Sequence, residues 1–147
     1  MINCFDGDFA FLSNFYDSPI SRDGVIFPTV EHYFQAMKAD GMLDYLAIAA
    51  AETPGKAKRL GRKCQMRWGW ERVKEDTMRD ALRLKFSDPE LKKKLLATGD
   101  EYLEEGNTWH DNYWGVCYCE RCSNVTAKNR LGHLLMELRE ELRNEGL

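Results

Sequence analysis

The stretch that decides the fold is Phe27–Lys38, which reads FPTVEHYFQAMK. Pro28 suits the start of a helix because its missing N–H would be unpaired there, and the hydroxyl of Thr29 can cap the first free amides. Nothing breaks a helix from Val30 until Asp40-Gly41, where glycine suits a left-handed stop. The stretch therefore predicts a helix that begins at Val30 and stops at this glycine.

One face of this helix carries an acid, an amide and an amine. Glu31, Gln35 and Lys38 recur at i, i+4 and i+7, so they share a face beside an apolar stripe. An ordinary amphipathic helix would expose such a face to water. A helix that is partly core and partly pocket wall would bury it. The residues of the helix alone leave both interpretations open.

Length and composition narrow the class of protein. The 147 residues suffice for one domain with a real core, so we expect a single domain over residues 1–147. A hydrophobic content of 44% is typical of a globular chain, and a net charge of −3 creates no global basic field for nucleic acids. No apolar run approaches the length of a bilayer, and the first residues lack a signal-peptide pattern. We therefore expect a cytoplasmic protein without membrane contact.

The hydrophobic periodicity predicts a mainly helical α+β fold. The Asp-Gly pair in Arg22–Gly24 predicts a hairpin, and so a small antiparallel β element near the N-terminus. We also expect a short strand within Phe5–Tyr16, another over Tyr102–Glu105, and a capping box from Ser87 to Glu90. Further helices are expected over Leu43–Glu52, Lys56–Arg62, Trp70–Phe86, Leu91–Ala97 and Asn129–Arg143.

The loop His110–Gly115 is the second focus of the sequence. Asp111 is a carboxylate flanked by aromatic rings, and Trp114 offers a flat face for stacking. Gly115 provides a backbone that another group can approach closely. A structural turn with one core tryptophan is the alternative interpretation.

The cysteines allow two interpretations. There are five, an odd number in a chain without a secretion signal, which favours reduced thiols. Cys117, Cys119 and Cys122 form C-x-C-x-x-C, a spacing that suits three ligands of a zinc site with Cys4 or His110 as the fourth. A second C-x-x-C pair is absent. We interpret the group as reduced thiols without a metal, and zinc as the alternative.

A family resemblance rests on segments that follow one another along nearly the whole chain. They are Phe11–Phe15, Gly24 with Phe27–Ala39, Gly61-Arg62, Trp70 with Met78, Lys85-Phe86, Leu96 with Thr98-Gly99, Asp111 with Trp114-Gly115, and Asn129 with Leu131-Gly132. Together they resemble the NADAR family, named for NAD and ADP-ribose and also called YbiA-like. The chain departs from the pattern at Val116–Lys128, a cysteine-rich insert where many members have a short glycine-containing link.

The resemblance implies a single compact YbiA-like domain with N-glycosidase activity, which hydrolyses the C–N bond between ribose C1 and a base-like nitrogen. The implied substrates are phosphorylated ribosylamino-pyrimidine intermediates of riboflavin synthesis or ADP-ribose attached to guanine, so a nucleic acid is expected only as a modified substrate. We expect no cofactor, and the oligomeric state is not predicted. The expected catalytic residues are Glu31, Lys38 and Asp111, and the expected substrate-binding residues are Asn14, Phe15, Gln35, Arg62, Trp70, Trp114 and Gly115.

The implied chemistry suits these residue types. Breaking a ribosyl C–N bond builds positive charge on the sugar, so a nearby carboxylate stabilises the transition state. A carboxyl group can also assist water or protonate the departing nitrogen, whereas a desolvated lysine can attack the opened sugar aldehyde and form an imine. The alternative function is a non-catalytic module for ADP-ribose or an NAD-related nucleotide, which would need rings and phosphate donors but not Glu31, Lys38 and Asp111 together.

Overall fold

The hairpin near the N-terminus forms where the Asp-Gly pair predicts it. Strands β1 (Ile20–Arg22) and β2 (Val25–Phe27) pair antiparallel in the computed structural model, which describes residues 1–146. Asp23 and Gly24 have positive φ angles of 52° and 80°, as a two-residue type I′ turn requires. The expected antiparallel β element is confirmed.

Helix α1 (Val30–Lys38) begins at the predicted cap. Thr29 has an extended backbone, and its hydroxyl accepts the N–H of His32 at 3.2 Å. The helix ends because Ala39 returns to an extended conformation. The expected glycine stop is wrong, since Gly41, with φ of 108°, precedes the next helix instead.

The remaining helices confirm the mainly helical α+β prediction to within a few residues. Thr53 caps the third helix as expected, and its hydroxyl accepts the N–H of Lys56 at 3.1 Å. The bounds are α2 Met42–Ala49, α3 Pro54–Lys63, α4 Trp70–Lys85, α5 Pro89–Ala97 and α6 Arg130–Glu145.

Three local predictions are wrong. A 3₁₀ helix, Gly7–Leu12, replaces the strand expected within Phe5–Tyr16, because Gly7 turns the chain with φ of 53°. Only Leu103 of the second expected strand pairs, in a parallel bridge to Ile2. Asp88 caps α5 instead of Ser87, because its carboxylate accepts two amide N–H groups of the first turn.

A second small sheet was not expected. Strands β3 (Gly106–Asn107) and β4 (Val116–Cys117) pair in parallel and enclose the loop that contains Asp111 and Trp114. A second 3₁₀ helix, Glu120–Cys122, follows β4. These elements are short because polar and aromatic residues, rather than an alternating pattern, occupy this part of the chain.

The chain divides into two compact units. One is the segment 14–87, in which α1 packs against α2, α3 and α4 around a core that includes Phe27, Tyr33 and Met78. The other joins residues 1–13 to the chain from Asp88 onward, and in it α5 packs on α6. The expected single domain over residues 1–147 stays a prediction. Within the described residues, no helix is both long enough and apolar enough to cross a bilayer.

Candidate functional site

The polar face of α1 is buried, not solvated. Glu31 and Gln35 are each only 7% exposed, and the side-chain amide of Gln35 donates to Glu31 Oε1 at 3.0 Å. The N–H of Glu31 lies in the first turn of α1 and therefore has no carbonyl partner within the helix. It donates instead to the carbonyl of Asn14 at 3.0 Å. This burial excludes the interpretation of the face as an ordinary solvated stripe.

Two buried side-chain oxygens in this region make no hydrogen bond among the residues that the structure describes. They are Oδ1 of Asn14 and Oε1 of Gln35, and both residues are 7% exposed. The Asn14 side-chain amide donates to the sulfur of Met78, at 3.6 Å. Because a buried polar atom without a partner is costly, such atoms mark places where a water or a ligand group is expected to donate. The structure thus brings Asn14, Glu31 and Gln35 together in one polar region of the segment 14–87.

Gly61 on α3 makes this arrangement possible. A Cβ atom at Gly61 would lie 2.0 Å from Gln35 Oε1 and 2.7 Å from Gln35 Cδ, distances that no packed structure tolerates. Only glycine lets α3 approach the Gln35 side chain so closely. The residue therefore holds the amide against Glu31.

Lys38 lies at the end of the same helix and is half-buried. Burial lowers the pKa of its amine from 10.5; the nearby Cys64 and Glu31 oppose this effect, and the Arg62 cation adds to it. The amine therefore interacts electrostatically with both Glu31 and Arg62, which the sequence had placed in the site. A lowered pKa increases the neutral fraction that can act as a nucleophile.

The other residues expected to bind substrate in this unit differ in exposure. Phe15 is 45% exposed, with the Lys58 amine 6.0 Å from its ring centre, and Arg62 is exposed. Both are accessible to a ligand. Trp70 is only 5% exposed, and its ring packs against Phe34 with centroids 5.1 Å apart. Its environment is that of a core side chain. The expected role of Trp70 in stacking on a base stays a prediction, and its low exposure does not support that role.

Asp111 shapes its own loop. Its Oδ1 accepts the N–H groups of Tyr113 at 3.1 Å and Trp114 at 2.9 Å, and its backbone bonds in both directions to the Asn107 side chain. A carboxylate used in this way closes a tight turn. The structure therefore gives Asp111 a positioning role, and its expected catalytic role remains untested.

Trp114 and Gly115 occupy the end of this loop. The Trp114 ring is half-buried and meets the Tyr113 ring edge to face at 4.9 Å. A Cβ at Gly115 would lie 2.1 Å from the Glu105 carbonyl, so the group that approaches this backbone is Glu105. The need for glycine is thus explained by packing, while the Trp114 side chain is only partly buried.

Sequence reasoning overlooked a buried amine. Lys85 is 1% exposed, and its Nζ lies 5.6 Å from the ring centre of Tyr16 and 5.2 Å from that of Phe86. Burial lowers the pKa of Lys85 from 10.5 to about 7. Its position in the periodic pattern of α4 is that of a core residue, which is the signal that could have identified it.

Two further residues stand out in the structure. Glu104 is 8% exposed, and burial raises the pKa of its carboxyl group. Its Oε1 has no hydrogen-bond partner in the part of the chain that the structure describes. Trp68 is 85% exposed beside an open cleft of about 300 Å³, and the Arg72 guanidinium lies 5.4 Å from its ring centre. A tryptophan this exposed is uncommon in a folded protein. The sequence Trp68-Gly69-Trp70 does not by itself indicate which of the two rings is buried.

The three clustered cysteines lie together with a histidine. The ligand atoms of His110, Cys117, Cys119 and Cys122 are all within 4.8 Å of one another, and all three thiols are free. Cys4, the other fourth ligand that the sequence allowed, is exposed and lies outside this group.

Comparison with known proteins identifies relatives over most of the chain. The NADAR domain family matches residues 4–143. An N-glycosidase YbiA of Shigella flexneri is 46% identical over 138 residues, covering 92% of this chain and 82% of that protein. A riboflavin biosynthesis protein of Vibrio vulnificus is 36% identical over 140 residues, which are 93% of this chain but 36% of that protein. The NMR structure of the Escherichia coli protein YbiA matches with a TM-score of 0.83 and 41% identity, covering 99% of this chain and 89% of that one.

Proposed function

This chain belongs to the NADAR family, and on that premise we propose that it is an N-glycosidase that hydrolyses the bond between ribose C1 and a base-like nitrogen. Its similarity to proteins named N-glycosidase over nine-tenths of its length supports this activity. The observation in the structure that carries the proposal is the buried hydrogen bond from Gln35 to Glu31, together with the buried oxygens of Asn14 and Gln35 that have no partner among the described residues.

Glu31 supplies the electrostatic part of the reaction. When the C–N bond breaks, positive charge develops on the sugar, and a carboxylate held in a region of low dielectric stabilises that charge. The hydrogen bond from Gln35 holds the carboxylate in place before the substrate arrives, so no reorganisation is needed during the reaction. The unpaired oxygens of Asn14 and Gln35 can accept hydrogen bonds from sugar hydroxyl groups.

The substrate class we propose is a ribosyl phosphate with an amino-linked base. The Vibrio relative is named a riboflavin biosynthesis protein, which favours a phosphorylated ribosylamino-pyrimidine. ADP-ribose attached to guanine offers the same bond type and remains the second substrate to test. In either case a phosphate group carries negative charge, and the exposed Arg62 with its neighbours Lys58 and Lys63 offers cations to bind it.

Two routes lead to hydrolysis, and different groups carry them. In the direct route, Glu31 stabilises the oxocarbenium-like sugar while water attacks C1. In the covalent route, the sugar ring opens to an imine between C1 and the base nitrogen, and a neutral lysine adds to C1 and expels the base as its amine. Water then hydrolyses the lysine imine and releases the sugar aldehyde and the free lysine. Lys38 is only half-buried and burial lowers its pKa, whereas burial lowers the pKa of Lys85 to about 7 but leaves that amine inaccessible. Accessibility favours Lys38 as the nucleophile.

The proposed activity is tested by incubating the purified protein with each substrate and detecting the released base by mass spectrometry. We expect release from one of them, and a loss of about a hundredfold or more in Glu31→Gln, in which a neutral isostere keeps the packing. Glu90→Gln, at an exposed position on α5, is the matched control and should keep full activity. Binding by calorimetry without any release of base would instead identify a non-catalytic nucleotide-binding module.

The choice between routes is tested by reductive trapping. Borohydride added during turnover should attach a sugar-sized adduct to the peptide that contains Lys38, and Lys38→Arg should lose both adduct and activity. An adduct on Lys85 would assign the covalent role to the buried amine. An active Lys38→Arg protein that yields no adduct would exclude the covalent route at Lys38 and leave direct hydrolysis.

A further inference from the structure

The insert that follows β4 brings four metal-binding side chains to one point. Nδ1 of His110 lies 3.3 Å from Cys119 Sγ, 3.4 Å from Cys122 Sγ and 3.9 Å from Cys117 Sγ. We propose that these four residues bind one structural Zn²⁺ ion, a site independent of the proposed N-glycosidase activity.

The distances between the four atoms are those of a tetrahedral ligand set. With Zn–S of about 2.3 Å and Zn–N of about 2.0–2.1 Å, a regular tetrahedron separates nitrogen from sulfur by about 3.6 Å and sulfur from sulfur by about 3.8 Å. The three nitrogen–sulfur distances lie on both sides of that value. No pair among the four ligand atoms is more than 4.8 Å apart, so one ion reaches all of them with small side-chain adjustments.

Hydrogen bonding does not explain this arrangement. Nδ1 of an imidazole carries either one proton or one lone pair, so it satisfies one sulfur well and cannot satisfy three. A cation at the centre of the four atoms satisfies all of them at once. Three cysteines and one histidine are one of the usual ligand sets of structural zinc, and soft thiolates with tetrahedral geometry favour zinc over hard cations such as Mg²⁺.

The backbone of the insert positions the ligands. Cys117 ends β4 and its N–H donates to the Asn112 side chain at 2.9 Å. Cys119 immediately precedes the single turn of 3₁₀ helix, and Cys122 is its last residue. His110 has a positive φ of 68°, an uncommon conformation for a residue with a side chain. Such strain persists where surrounding interactions impose it, as at ligand sites. Here it points to a conformation required by the cluster.

The charge of the cluster is also balanced. Three thiolates and one Zn²⁺ ion leave a net charge of −1. The Arg121 guanidinium lies 3.5 Å from Nε2 of His110, at the outer limit of hydrogen bonding, and places a cation beside the cluster. When Nδ1 of His110 binds the metal, the ring proton lies on Nε2, which then donates rather than accepts. Arg121 is exposed, so its guanidinium can shift away from Nε2.

A site with four protein ligands is closed and therefore structural, because no position remains for water or substrate. Its effect would be to tie His110, at the start of the Asp111–Gly115 loop, to the segment that follows β4. Metal removal should thus loosen this loop and lower the stability of the protein.

The test is metal analysis of the purified full chain, followed by chelation and Co²⁺ titration. We expect about one zinc per chain, a lower melting temperature after chelation, and the absorption of tetrahedral thiolate-bound Co²⁺ that saturates at one equivalent. Cys119→Ser should lose the metal and the spectrum. Cys4→Ser and Cys64→Ser remove thiols outside the cluster and are the matched controls that should keep both.

Alkylation provides a readout that does not depend on a variant folding. In the native protein we expect iodoacetamide to modify Cys4 and Cys64, and after chelation to modify all five cysteines. Cys119 is the decisive residue, because it is partly exposed and burial alone would not protect it. A wild-type protein without zinc and without a Co²⁺ spectrum would overturn the proposal, as would iron in place of zinc, or Cys119 that is alkylated equally with and without chelator.

Discussion

Replacing Gly61 with alanine tests whether the close approach of α3 holds the Gln35–Glu31 pair in place. The added Cβ would lie 2.0 Å from Gln35 Oε1, 2.7 Å from Cδ and 3.1 Å from Cβ. The Gln35 side chain is 7% exposed, so it cannot swing into solvent without moving α1 or α3. Such overpacking costs about 1–3 kcal/mol, and the better helix propensity of alanine returns up to about 1 kcal/mol. We expect a net loss of about 1–2 kcal/mol in the free energy of unfolding.

The same substitution should reduce the rate. Displacement of the Gln35 amide removes its hydrogen bond to Glu31 Oε1, which is 3.0 Å long. A hydrogen bond to a charged group is worth about 1.5–3 kcal/mol, and its loss from the transition state lowers the rate by about tenfold to a hundredfold. Urea unfolding measures the first effect, and release of free base measures the second.

Gly55→Ala on the same helix is the matched control. Its Cβ would meet only Thr53 Oγ1, at 3.9 Å, so it should be neutral or stabilising and fully active. The double variant Gly61→Ala, Gln35→Ala should be about as stable as Gln35→Ala alone, because the two closest contacts are removed. A Gly61→Ala protein with wild-type stability and activity would refute the argument that this glycine positions Gln35.

Two further perturbations test single side chains. Asp111→Asn keeps the oxygen that accepts the Tyr113 and Trp114 amides, so activity should survive if Asp111 only positions the loop. Loss of activity in the well-folded asparagine variant would show that the charge is needed. Asp111→Ala should cost about 1 kcal/mol of stability in either case. The pKa of Lys85 is lowered from 10.5 to about 7, so between these values the folded protein binds fewer protons than the unfolded chain and stability should rise with pH. Lys85→Met should reduce this rise in the free energy of unfolding by up to about 1.4 kcal/mol per pH unit, as measured by urea titrations at several pH values. Lys93→Met, at an exposed position, is the control. An unchanged dependence on pH in Lys85→Met would contradict the burial of an ionisable amine.

Local interactions explain the parts of this protein that the sequence predicts well. The Thr29 cap, the Asp23-Gly24 turn and the stripes of the long helices depend on residues within a few positions of one another. Their backbone preferences act before any tertiary contact forms, so sequence spacing is sufficient to place them. The ordered motifs likewise identified the family.

Only the tertiary structure decides how those elements are used. Whether the Glu31 face meets water or protein depends on α3, which approaches through Gly61, a residue 30 positions further along the chain. The periodic pattern places Lys85 and Trp70 on the core-facing side of α4, but only the tertiary packing decides that the amine stays buried there and that the Trp70 ring packs on Phe34. The cysteine spacing left the choice of a fourth ligand open, because Cys4 and His110 are equivalent in sequence terms, and the strained backbone at His110 brings that imidazole to the thiols. Burial and the positions of metal ligands depend on contacts between residues that are far apart in sequence. Their free energies come from the packing and desolvation of those residues in the folded protein, so the local sequence does not determine them.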